Sequence, residues 1–165
     1  MIINGTELKA SIVLQAMVTG LLKSKDDPDF VVKMETFGKV KNNLCYGCCA
    51  TLTLVQMFGK GQSASEIMLG YVNNQTDQPN SGYAHLADVV ELEPSSGYKS
   101  LRIKLLYLES AVEMARRGDV SSLIKFLTGE SNKSFNDRWC LDNENWEEQL
   151  PVVNETIAEM IAAGY

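Results

Sequence analysis

Histidine is nearly absent from this sequence: His85 is the only one in 165 residues. A hydrolase needing an imidazole base therefore has one residue to draw on. No apolar run approaches the roughly 18 to 20 residues that a membrane span requires. The first residues also lack a charged segment followed by an apolar signal core. Both absences lead us to expect a cytoplasmic protein with no membrane partner. Gly59-Lys-Gly61 follows a helix instead of opening one, so no phosphate-cradling loop is expected there. Basic clusters with interleaved aromatics are missing as well, and nucleic acid is disfavoured as a partner.

The charge that is present is unevenly placed. Of 21 acidic and 15 basic residues, the stretch 130–165 holds eight acids and two bases. Its net charge is the whole −6 of the chain, and the first 129 residues are neutral. Both tryptophans, Trp139 and Trp146, fall in this acidic region beside Asp142, Glu144, Glu147 and Glu148. An aromatic anchor within a charged rim is a protein-interface pattern, and a negative face steers a basic partner.

At 18.3 kDa the chain is long enough for one domain, 1–165, to bury a core without disulfide or metal staples. Leu44 to Gly59 reads as its centre. From Cys48 to Phe58 the only polar side chains are Thr51, Thr53 and Gln56, and a helix apolar all round is a buried one. Thr6 is positioned to cap a helix to about Lys23, with Leu8, Ile12, Val13, Ala16, Met17 and Leu21 along its buried face. Pro28 breaks the chain, and beyond it the alternation of Phe30, Val32 and Met34 permits a short strand, but with no comparable strand to pair with, 30–40 reads as an extended or single-turn connector. Ser63-x-x-Glu66 has capping-box spacing for a short helix to about Val72. Helices are also expected over 83–92, over 101–117, after Asp119, over 143–150, and from Pro151 to Ala163 with Val152, Ile157 and Ile161 inward. The expected fold is all-α, a single globular domain of six to eight helices around a buried central helix. Within it, AVEMARRGDVSSLIKFL resembles the helix-turn-helix half of an ankyrin repeat, although no repeat period recurs.

Three of the four cysteines, Cys45, Cys48 and Cys49, crowd the start of the central helix. Amide dipoles at a helix start stabilise a thiolate, and Lys39 and Lys41 would act in the same direction. Cys45-Tyr-Gly-Cys48 has the spacing of a redox dithiol, but no preceding strand is evident in the sequence. Close packing of small thiols in a core is the other explanation of the cluster. A zinc tetrahedron would need Cys140, Cys49 or His85 to complete it, and no second close pair is present, so neither metal nor cofactor is expected. CYGCCA resembles the papain-type motif around the nucleophilic cysteine, which would make Cys48 the nucleophile and His85 its base. The stretch from Cys45 through Gly59 to Glu66 also resembles bacteriocin-leader cysteine peptidases.

Two functions follow. One is a non-catalytic inhibitor, immunity-type or adaptor protein that binds a basic protein partner through Trp139, Asp142, Glu144, Trp146, Glu147 and Glu148. The alternative is a thiol enzyme, redox or hydrolytic, centred on Cys45 and Cys48 with His85.

Overall fold

The computed structural model describes residues 2–3, 6–34, 36, 38–74, 81–82, 114, 117–118, 121, 141 and 144–165. Among them the architecture is α+β, not all-α: four helices accompany a mixed sheet. The chain opens with a two-stranded hairpin, β1 (Ile2–Ile3) and β2 (Thr6–Glu7). Thr6 therefore lies in a strand, and helix α1 begins only at Ala10 (Ala10–Ser24). Three short strands follow, β3 (Phe30–Val32), β4 (Lys39–Lys41) and β5 (Leu44–Gly47). Helices α2 (Cys49–Phe58) and α3 (Ala64–Asn74), strand β6 (Ser81–Gly82) and helix α4 (Trp146–Ala162) complete the described elements.

The sheet has the order β3-β5-β4-β6, with β5 parallel to β3 and antiparallel to β4. Its inner row runs across the strands through Phe30, Cys45 and Val40, all buried. The neighbouring row, Val31, Tyr46 and Lys39, faces outward, as the period of two demands. A two-residue turn at Asn42-Asn43 joins β4 to β5, with φ of 53° and 61°. Positive φ at both central residues is what a hairpin turn matched to strand twist needs, and asparagine tolerates it better than most residues.

Helix α2 is the buried centre that the sequence indicates. Its first seven residues, Cys49 to Val55, are all buried, and Thr53 hides its hydroxyl by donating to the Cys49 carbonyl at 2.7 Å. The helix stops at Gly59. That residue has φ −75°, and the chain turns left-handed at Lys60 and Gly61. Helix α1 lies against α2 with Val13, Leu14, Met17, Val18 and Leu21 inward, while Ile12 is 45% exposed. Gly20 lets the two backbones meet, because a Cβ there would stand 2.6 Å from the Leu52 carbonyl oxygen.

The capping box of α3 forms as its spacing implies. Ser63 N–H donates to Glu66 Oε2 at 2.7 Å, and Glu66 N–H donates to Ser63 Oγ at 3.2 Å. Buried Asp27 adds a tertiary cap, accepting from Ser65 N–H at 3.0 Å and from Ser65 Oγ at 2.6 Å. Helix α4 runs antiparallel to α1. Glu147 near its start meets Lys25 at 2.7 Å, and beyond its end the Tyr165 carbonyl accepts from Ser11 N–H at 3.2 Å. It continues through Pro151, its sixth residue, where the missing N–H forfeits one backbone bond. Val153, Ile157 and Met160 form its buried stripe, whereas Ile161 is 54% exposed. Of the expected hairpin over 101–127, only Met114, Arg117, Gly118 and Ser121 are described; the helix over 83–92 lies outside the described residues.

Candidate functional site: a thiolate at a strand–helix junction

Strand β5 runs directly into α2, and Cys48 is the hinge between them. It occupies the N-cap position in extended conformation, φ −95° and ψ −177°, with no strict side-chain cap bond. The preceding strand that the sequence did not reveal is therefore present. Sulfur is large and its contacts are long: Thr51 Oγ1 lies 3.9 Å from Cys48 Sγ. Gly47 makes room for that hydroxyl. A Cβ at Gly47 would fall 2.7 Å from Thr51 Cγ2 and 2.9 Å from Thr51 Oγ1.

The electrostatics of Cys48 and Cys45 diverge sharply. Cys48 is only 3% exposed, and burial alone would hold it neutral. A hydrogen bond from the adjacent Cys49 thiol outweighs that cost, helped by the Thr51 and Ala50 amides and the Thr51 hydroxyl, and brings its pKa down to about 6. Lysine charge is not the cause, because Lys39 and Lys41 are exposed to either side of buried Val40. Cys45 moves the opposite way. Burial, with the carboxylates of Asp27 and Asp29 next in effect, pushes its thiol up to about 12.

The Cys-x-x-Cys spacing does not bring its two sulfurs together. Cys45 and Gly47 both lie in β5, held by parallel pairing to Phe30 and Val32. Three extended steps separate the Cα atoms of Cys45 and Cys48 by about 10 Å. A disulfide fails beyond about 7 Å. The side chain that does most to lower the Cys48 thiol is Cys49, which the dithiol spacing passes over; its position one residue along at a helix start was the available signal. His85 lies outside the described residues, as do Cys140, Trp139 and Asp142. Among the described residues no group of three or more His, Cys, Asp and Glu side chains is arranged to hold a metal, and no helix is long and apolar enough to cross a membrane.

The acidic surface is only partly assembled from described residues. Trp146 is 7% exposed and belongs to the core, so its indole is not offered to a partner. Glu147 is paired with Lys25, and both side chains are about half exposed, 52% and 49%. Glu147 and Glu148 sit in the first turn of α4, with exposed Glu144 just before it, where negative charge complements the helix dipole.

Comparison with protein families, characterised proteins and solved structures returns no match.

Thr51→Val keeps the shape that fits Gly47 and removes the hydroxyl. It is expected to raise the Cys48 pKa by about half a unit while the amide contributions stay. Following thiolate absorbance against pH checks this, and an unchanged midpoint would remove Thr51 from the site.

Proposed function

We propose that this protein is a thiol-dependent enzyme or carrier in which the Cys48 thiolate attacks an electrophilic sulfur, with thiol–disulfide exchange as the reaction class. The observation behind it is the placement of Cys48 at the junction of β5 and buried α2, within reach of a thiol, a hydroxyl and two amides. Thiolates at helix starts are the nucleophiles of such exchange. A hydrolytic reading would need a base, and none of the groups around Cys48 named above is one. The protein-binding reading relies on Glu144, Glu147 and Glu148 without an accessible Trp146, and so ranks second. The cytoplasm, where thiols stay reduced, suits the thiol reading.

The test is the pH dependence of reaction with a small aromatic disulfide. At pH 7 a thiol of pKa 6 is about 90% ionised, against about 1% for one of pKa 9. Its weaker intrinsic nucleophilicity cancels most of that gain, by roughly 20-fold at a Brønsted slope of 0.4–0.5. Burial slows every reagent further. The diagnostic is therefore the midpoint and not the absolute rate. A rate rising with midpoint near pH 6, and lost in Cys48→Ser, is expected. A midpoint near 9 would place the thiols in the core as packing.

A further inference from the structure

We infer that the cleft between α1, the second half of α2 and the start of α3 binds a small zwitterion, a free α-amino acid with an apolar side chain. The cleft has a volume of about 330 Å³, and Cys48 does not line it. That size stands at the lower end of the range of about 300–1,000 Å³ for small-molecule sites, which suits a ligand of few atoms. On α2, Leu52, Val55 and Gln56 fall at i, i+3 and i+4, and so share the face that forms one wall. Lys23 comes from α1, and Ser63 and Glu66 come from the capping box of α3.

The polar groups of the cleft divide by what already holds them. Asp27 is spent on Ser65, one oxygen accepting the N–H at 3.0 Å and the other the hydroxyl at 2.6 Å. Lys23 Nζ donates to Gln56 Oε1 at 2.9 Å. Two ammonium N–H bonds and both N–H bonds of the Gln56 amide have no partner among the described residues. Glu66 Oε2 accepts from Ser63 N–H at 2.7 Å, and its second oxygen has no partner among the described residues either. Lys23 and Glu66 form no ion pair with each other. A cation and a carboxylate that line one cleft without meeting, each steadied by a neutral partner, complement a ligand that carries both charges. The ligand carboxylate meets Lys23 and the Gln56 amide, and its ammonium meets Glu66. Leu52 and Val55, both buried, supply the apolar lining for its side chain.

An NMR titration of the full chain, labelled with ¹⁵N, tests this with L-leucine as the probe. The Gln56 side-chain amide and the Ser63 backbone amide are expected to shift together and to saturate with a Kd of about 1 mM or below. Leucinamide, which lacks the carboxylate, and N-acetylleucine, which lacks the ammonium, are each expected to bind about tenfold more weakly. Two substitutions assign the ends. Lys23→Gln should weaken leucine about tenfold and leave leucinamide unchanged, whereas Glu66→Gln should weaken leucine about tenfold and leave N-acetylleucine unchanged. Glutamine keeps an oxygen for the Ser63 N–H, so α3 stays capped. No saturable shift of these amides at about 10 mM leucine overturns the inference. So does leucine binding that either substitution leaves intact, or that N-acetylleucine or leucinamide equals. Should either variant fail to fold, the three ligands compared on the unaltered chain decide alone. None of these outcomes bears on the Cys48 thiol.

Discussion

Native stability is expected to climb as pH rises from about 6 to 9, and the climb is expected to vanish in Cys48→Ser. The Cys48 pKa drops from 9.0 to about 6 on folding. Below pH 6 both folded and unfolded states hold the proton, and the thiol contributes nothing to the difference. Between 6 and 9 the unfolded chain binds more protons than the folded one, so stability grows with pH and reaches its full value above 9. Three units correspond to roughly 4 kcal/mol. Cys45 acts in the opposite sense. Its pKa rises from 9.0 to about 12, so its contribution is intact below 9 and is lost as pH climbs from there toward 12. For these two groups together the maximum lies near pH 9. Denaturant titrations of the unaltered protein and of Cys48→Ser at matched pH isolate the rising limb. Parallel curves between pH 6 and 9 would mean that Cys48 ionises alike in both states.

Gly20→Val carries the second large effect. Its Cβ would press against the Leu52 carbonyl oxygen at 2.6 Å and the carbonyl carbon at 2.9 Å. Both are backbone atoms, which no rotamer change can move aside. Helices α1 and α2 must separate, and overpacking of this kind costs about 3 kcal/mol. Gly20→Ala meets the same contact but regains about 1 kcal/mol of helix propensity, and should lose about half as much. Because α2 carries Cys48 at its start, the shift should also show in the thiol: the fraction reactive at pH 7 is expected to fall. Unfolding free energies within about 0.5 kcal/mol of the unaltered protein would contradict the close approach.

The central helix was legible because its signal is long and local. Ten residues without a charge, polar only at Thr51, Thr53 and Gln56, admit few readings, and the Ser63 and Glu66 capping box is carried by four adjacent residues. The sheet was hidden for the opposite reason. Strands of three or four residues scarcely display a period, and the row Phe30, Cys45 and Val40 is assembled across three strands, its Phe30 far from Cys45 in sequence. The alternation of Phe30, Val32 and Met34 did mark β3, but its partner was hidden, and Asn42-Asn43 is a weaker hairpin marker than Asn-Gly. Pro151 misled because a proline past the first turn ordinarily breaks a helix, whereas α4 runs through it.

The sheet also changed the meaning of the cysteines. Spacing alone made Cys45 and Cys48 a pair. Extended backbone between them drives them apart and leaves Cys48 with Cys49. What resemblance to the papain-type motif implied for Cys48, a nucleophile at a helix start, agrees in placement with its N-cap position; the base it implied, His85, lies outside the described residues.

The most direct measurement is the ionisation of Cys48 itself. Cysteine labelled with ¹³C at Cβ, with Cys48→Ser to assign its resonance, reports that thiol alone as pH is varied in the native state. An inflection near pH 6 is expected, with the Cys45 resonance unmoved up to pH 9 and beyond. A Cys48 inflection at 9 or above would contradict a thiolate at the β5–α2 junction, and the exchange chemistry assigned to it with it.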